Sequence, residues 1–221
     1  MTMIQVEVKS IEYNRTKQWL LEKHYAHRMC PVSYAFGLFA EGKLEGVVTY
    51  GTPVSSSLRS GICGADYKNK VLELNRLCIN SSAPKNSASV LVGRSMRFLP
   101  KDSILVSFAD TQQGHIGYVY QATNWLYTGL SAKRTDWKIK GMEHLHGATI
   151  ADMSRGQKNR AQWMREQFGD NFYLAPRPRK HRYVFFLDKR MIKYLKYPVL
   201  PYPKGESKRY SCVDVIETNL Q

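Results

Sequence analysis

The chain has 221 residues, 43% of them hydrophobic, which suits one domain with a sizeable core and excludes a disordered or fibrous protein. Its 33 Lys and Arg against 18 Asp and Glu give a formal charge of +15, a surplus that favours a polyanionic partner such as nucleic acid. No stretch approaches the roughly 18 apolar residues of a membrane span, MTMIQVEVKS has no signal-peptide core, and no two of Cys30, Cys63, Cys78 and Cys212 form a CxxC pair, so membrane, secreted and zinc-ribbon classes are disfavoured and a cytoplasmic chain with reduced thiols is expected.

Residues 3–8 alternate and predict a first strand. Asn14 is a candidate N-cap for a helix from Arg15 to His24, with Trp19 and Leu20 turned inward. That helix runs into His24-Tyr25-Ala26-His27-Arg28, a cluster too polar and aromatic for plain linker. Strands at 34–40 and 44–50 flank Glu41-Gly42-Lys43, where Gly42 can supply the positive φ of a hairpin turn. Residues 51–66, rich in Gly, Ser and Pro, predict a long loop. Residues 71–79 predict a strand with Glu73 and Arg76 on opposite faces. A small-residue loop, 81–89, precedes a predicted helix at 90–99 that Pro100 ends.

Residues 103–109 predict an apolar strand leading to Asp110, then a turn and a helix from about His115 to Asn124, then a strand at 127–132. Residues 133–155 are basic and patternless, and 157–168 predict a short helix. Residues 175–182 read as a stiff basic lead-in to a strand at 183–187, and 188–210 mix Lys and Arg with Tyr and Pro. This order predicts an α/β fold in a single domain, 1–221, with a mixed central sheet and a basic carboxy-terminal elaboration.

Several groups could carry chemistry. Asp110, at the carboxyl end of a predicted strand, lies where α/β proteins place ligands, and Tyr118 and Tyr120 follow in the next helix. A glutamate inside an apolar strand, Glu73, is costly unless paired or used as a base. His24 and His27, three apart, could share a helical face as bases or, with Asp110, as metal ligands. Asn86, Ser87, Ala88 and Ser89 precede a helix start whose backbone N–H groups suit a pyrophosphate. Charge is uneven: residues 1–120 carry +5 and residues 121–221 carry +10. DNA-facing elements are therefore expected within 133–210, with Lys133, Arg134, Arg177, Arg179, Lys180, Arg182, Lys189 and Arg190 as phosphate contacts and Arg28 beside them.

Three long segments carry a resemblance: HYAHRMCPVSYAFGLFAEGKLEGVVTYGTP (24–53), VLELNRLCINSSAPKNSASVLVGRSMRFLP (71–100) and ILVSFADTQQGHIGYVYQATNWLYTGLSAKRTD (104–136). They resemble the phage Mom DNA-modification family. That resemblance implies a GNAT-like acyltransferase fold and conversion of adenine in double-stranded DNA to N6-carbamoylmethyladenine, which shields phage DNA from host restriction. It maps catalytic roles onto His24, Tyr25, Asp110 and Tyr120, and Glu73 joins them as a further candidate base on the strand reading alone. The expected donor-binding set is Cys78, Asn86, Ser87, Ala88, Ser89, Tyr118 and Asn124. The loop PKNSAS lacks the usual GNAT arginine/glycine-rich signature, so the expected donor is acyl-CoA-like or another activated glycine-derived compound, with iron as a candidate metal.

The target atom lies inside the duplex stack, so base flipping is expected, with Tyr25, Tyr50 or Trp125 stacking on the extruded base. The expected setting is the cytoplasm of an infected bacterial host, with DNA and a small-molecule donor as partners, and a homodimer is allowed. The competing readings are a GNAT N-acyltransferase for another amine and a non-catalytic DNA-binding protein.

Overall fold

The computed structural model describes residues 5–145 and 147–205; the first residues of the predicted amino-terminal strand, the end of the 188–210 segment and Cys212 lie outside them. Strands β1 (Val6–Ser10), β2 (Tyr34–Ala40), β3 (Lys43–Gly51) and β4 (Val71–Ile79) pair antiparallel in chain order. Strand β5 (Ile104–Asp110) then pairs parallel to β4. Two later strands, β6 (Leu126–Leu130) and β9 (Lys180–Phe186), complete a seven-stranded sheet in the order β1-β2-β3-β4-β5-β9-β6. The fold is α/β with a mixed central sheet. The β2–β3 connection is a two-residue turn in which Glu41 (φ 50°) and Gly42 (φ 80°) both take the positive φ that matches strand twist.

Helix α1 (Tyr13–Gln18) starts at Glu12 rather than Asn14 and continues into a π-helical turn, Trp19–Lys23. Helix α2 (Ser56–Cys63) occupies the stretch expected to be loop. Ser55 caps it by accepting from the Leu58 N–H at 3.2 Å, while Ile62 and Cys63 bury its far end. Helix α3 (Ser87–Ser95) buries Ala88, Leu91, Val92 and Ser95, spaced three and four apart, against the sheet residues Leu38, Val48, Leu74 and Leu105. Burying Leu91 alone contributes about 1.5–3 kcal/mol. Helix α4 (Tyr118–Ala122) is shorter than the predicted 115–124.

The described chain forms two compact units. The first holds the chain up to Ala109, His115–Gly129 and the chain from His181. The second holds Asp110–Gly114 and Leu130–Lys180. Within it, β7 (Arg134–Ile139) and β8 (Phe172–Arg177) form a separate antiparallel pair, where no strand was expected. Ile139, Ile150 of α5 (Gly147–Asp152) and Met164 of α6 (Arg160–Phe168) form its core, flanked by Trp137, Trp163, Phe168 and Phe172. Its two entry points are tied together: the Ser131 N–H donates to the Lys180 carbonyl (2.8 Å), and the Lys180 N–H donates to Ser131 Oγ (3.0 Å).

Candidate active site

The pairing of β4 with β5 runs from Val71–Ile104 to Leu74–Ser107 and ends there. One residue on, β4 carries a bulge: Thr49 faces Arg76 and Tyr50 faces Leu74, leaving Asn75 without an opposite number. Asn75 accepts a hydrogen bond from Thr49 Oγ1 and donates one to the Pro31 carbonyl, both at 2.7 Å. The carboxyl ends of the two parallel strands therefore have different neighbours, a place where α/β sheets bind ligands.

Ser107, 1% exposed, sits at the end of this pairing. Its Oγ is 2.8 Å from the Leu74 carbonyl oxygen and 2.7 Å from the Tyr120 hydroxyl. Tyr120 comes from α4, which begins after Gly117. Gly117 has φ 83°, and a Cβ there would come within 2.3 Å of the Tyr183 ring, so both conformation and space demand glycine. The Tyr120 ring packs on Trp125 and Tyr183, with centroids 5.2 Å away in each case. Burial holds the Tyr120 phenol well above its ordinary range; the Ser107 hydrogen bond opposes that rise, and the nearby Tyr25, Glu73 and Tyr183 add to it.

His24, 6% exposed, leaves the π-helical turn with its N–H bonded to the Trp19 carbonyl. Its Nδ1 accepts the Ala26 N–H at 3.1 Å, so the neutral ring carries its proton on Nε2. Its ring stacks on Tyr25 at 4.3 Å, and the Tyr25 ring meets His115 edge-on at 6.0 Å. The first unit thus gathers His24, Tyr25 and His115 by ring contact, and Tyr25, Glu73 and Tyr120 by electrostatic influence. Glu73 is a half-buried strand residue whose charge also acts on Cys30.

Asp110 is buried and has two local partners in the second unit. Its Oδ1 accepts the Gln112 N–H (3.0 Å), and its Oδ2 pairs with Lys180 Nζ (2.6 Å). Among the donor-binding candidates, Ser87 and Ala88 are buried at the start of α3, after Asn86 in the left-handed conformation (φ 68°). The Ser87 hydroxyl donates to the Pro84 carbonyl and that of Ser89 to the Asn86 carbonyl, so neither caps the first-turn N–H groups. Tyr118 is 40% exposed and bonds the Gly205 carbonyl, and Asn124 is an exposed turn residue with φ 60°. Cys78 is buried with Trp19, Leu20 and Val47, and among the described residues Cys30 and Cys63 are free thiols.

Two further expectations are corrected. Tyr50 and Trp125 are fully buried in the core and have no face to offer an extruded base. For iron, no group of three or more His, Cys, Asp or Glu side chains stands together among the described residues. Of the candidate ligands, the His27 Nδ1 is taken by the Leu21 carbonyl (2.9 Å), His24 Nδ1 by the Ala26 N–H, and both Asp110 oxygens are engaged. Among the described residues these side chains form no metal-binding cluster.

The predicted phosphate contacts divide in two. Arg177 is bound to Asp136, and Arg190 to Asp188. Arg179 donates to the Ser131 and Leu130 carbonyls (2.5 and 3.1 Å). Arg182 donates to Thr128 Oγ1 and the Thr128 carbonyl (both 2.9 Å) and covers the Tyr197 ring at 3.5 Å. Lys133, Arg134 and Lys189 are exposed, as is Arg28. Ser107 was not anticipated. A serine in the run SILVSFA reads as packing, and only the strand register reveals that it faces Leu74 at the last pair.

A mixed sheet whose parallel pair ends beside a buried tyrosine, with a glutamate and a histidine–tyrosine stack in the same unit, defines an α/β protein. The chain belongs to the Mom protein family, whose model matches residues 5–204. It is 29% identical over 209 residues to the methylcarbamoylase mom of Escherichia phage Mu, covering 90% of this chain and 84% of that protein. Similar solved structures include an N-acetyltransferase from Staphylococcus aureus Mu50 (12% identity, 83% of this chain and 99% of that one, TM-score 0.45). Another is a Bacillus subtilis acetyltransferase in complex with CoA (12% identity, 83% and 98%, TM-score 0.43). Among the described residues no helix is long and apolar enough to cross a membrane.

Proposed function

We propose that this chain is a phage transferase that converts adenine in double-stranded DNA to N6-carbamoylmethyladenine, acting in the cytoplasm of the infected host and shielding phage DNA from restriction. Family membership and the name of the Mu relative support the reaction class. The observation that carries the reading is the Tyr120 hydroxyl, buried at the end of the β4–β5 pairing under the influence of Glu73 and Tyr25.

Adenine's exocyclic amine is a poor nucleophile because its lone pair is delocalised into the ring, so a base must remove a proton as the new bond forms. Glu73 takes that role in this reading, because its carboxylate acts on the buried Tyr120 phenol. Asp110 instead closes the base of the second unit. Tyr25, half-exposed and backed by His24, is the aromatic face left for the extruded base. A plain acyl transfer would leave a carbonyl carbon on the nitrogen, whereas this product has a methylene there. The donor in this reading is a small activated glycine-derived compound, free or on an acyl-CoA-like carrier, whose methylene carbon bears a leaving group that departs with its electron pair as the nitrogen bonds that carbon. The uncapped first turn of α3, behind buried Ser87 and Ala88, suits its anionic part.

The test is mass spectrometry of nucleosides from DNA co-expressed with the protein. Modified adenine is expected with the natural chain. Tyr120→Phe and Glu73→Gln should each lower it by about 10²-fold or more at unchanged DNA affinity. Unmodified adenine in every preparation of folded natural protein would remove the reading.

A further inference from the structure

Glu45 lies where the β2–β3 register shifts: Phe39 faces Leu44 and Leu38 faces Gly46, so Glu45 is the extra residue of a bulge. It is 6% exposed, and a carboxylate that deep needs partners. They come from the chain just past β4. The Glu45 Oε2 accepts from the Asn80 side-chain amide and from the Ser82 hydroxyl, both at 2.9 Å, and the Glu45 carbonyl accepts the Asn80 N–H at 2.9 Å. Lys43 Nζ lies 3.1 Å from Oε1. Burial pushes the Glu45 carboxyl up, but the hydrogen bonds from Asn80, Lys43 and Ser82 outweigh it and hold the group below the usual carboxylate range. Asn80 is gripped from a second side, where its Oδ1 accepts from Lys23 Nζ at 3.0 Å. Lys23 ends the π-helical turn and directly precedes His24. Asn80 follows Ile79, the last residue of β4, and opens the loop that enters α3 at Ser87.

We infer that Asn80 is a positioning residue that couples the two halves of the proposed site: the His24–Tyr25 arm, held through Lys23, and the loop into α3, held through Glu45. The inference rests on the reading above, in which Tyr25 faces the extruded base and the first turn of α3 holds the anionic part of the donor. A primary amide donates to the carboxylate and accepts from the ammonium at once, whereas an aspartate of the same shape can only accept. The arm brings the reacting nitrogen and the loop brings the reacting carbon. A misplacement of about 1 Å between such partners can cost about 10²-fold in rate, so one side chain that fixes both segments serves the reaction without touching its atoms.

The coupling can be read without any substrate. Asn80→Ala cuts both links, and in the unliganded protein it should raise hydrogen exchange at least about tenfold for amides in 24–28 and in 81–90, with β5 unchanged. A rise in neither segment, or in one alone, would overturn the inference. Should Asn80→Ala not fold, Lys23→Met, which leaves Glu45 its partners, should loosen 24–28, and unchanged exchange there would overturn it equally. In cells, Asn80→Asp sets one carboxylate against another and should cut modified adenine at least about tenfold with DNA affinity retained. Adding Glu45→Gln to that chain restores the match of donor and acceptor with the polarity reversed, and should return modification to within about threefold of the natural level. Natural modification by folded Asn80→Asp, or no recovery in the folded double variant, would sink the proposal. Should no chain modify adenine, the natural one included, while Asn80→Ala loosens both segments, the functional reading fails and the coupling stands.

Discussion

At the scale of single residues, partners decide roles. Sequence reasoning named Asp110 and Tyr120 together, because both follow one apolar strand. Tyr120 was named from its place in the turn or helix after that strand and from the family resemblance, and the structure buries it beside Ser107. The engagement of Asp110 was not legible, because Lys180 lies 70 residues on and no local pattern joins them. His181 shows the same effect on stability. Burial depresses its pKa below the ordinary 6.5, and the Tyr127 hydroxyl sits 2.8 Å from its Nδ1. The folded state therefore favours neutral His181. That contribution is present above the unfolded value near 6.5 and is lost as pH falls through it toward the lower folded value. The thermal midpoint should fall as pH is lowered from 7 to 5, and His181→Gln should flatten that part of the profile. An unchanged slope in the variant would assign the acid sensitivity to other groups.

Elements were legible where apolar spacing spoke plainly. Strand β4 occupies the predicted residues 71–79, and the β2–β3 hairpin turns at Gly42 as expected. Helix α2 was missed because its serines look like loop residues, although Ser55 is its cap. Strands β7 and β8 were missed because a ribbon covered on one side, carrying Lys138, Arg134 and Pro176, lacks clean alternation. Helix α4 depends on one backbone position. Gly117→Ala adds a methyl against the Tyr183 ring as well as left-handed strain, and should cost about 2–4 kcal/mol in chemical denaturation. Gly141→Ala, with the same sign of φ (84°) and nothing within 4 Å, should cost only about 1–2 kcal/mol. Equal losses would mean that the ring contact is immaterial.

For the whole molecule, the sequence shows a surplus of positive charge in the second half of the chain, and the structure shows which of those side chains are already engaged. Residues 130–180 hold eleven Lys and Arg against five Asp and Glu. Arg177, Arg179 and Lys180 are bound within the second unit. Lys133, Arg134, Lys140 and Lys158 are exposed and hold no side-chain hydrogen bond or ion pair among the described residues. Replacing those four with Ala should weaken DNA binding and flatten its salt dependence by up to about 0.9 in log–log slope for each phosphate no longer neutralised. Arg179→Ala should act mainly on stability, because its guanidinium holds two main-chain carbonyls. Salt titrations of DNA affinity beside thermal melts would separate these effects, and the opposite pattern would return the phosphate contacts to the bound arginines.

The hydrogen-bonded meeting of Ser131 with Lys180 has an evolutionary corollary. A segment whose two ends are clasped side by side can grow, shrink or be exchanged with little entropic penalty to the sheet that hosts it. Changes within this stretch can then leave the hydroxyl pair where the parallel strands part company untouched.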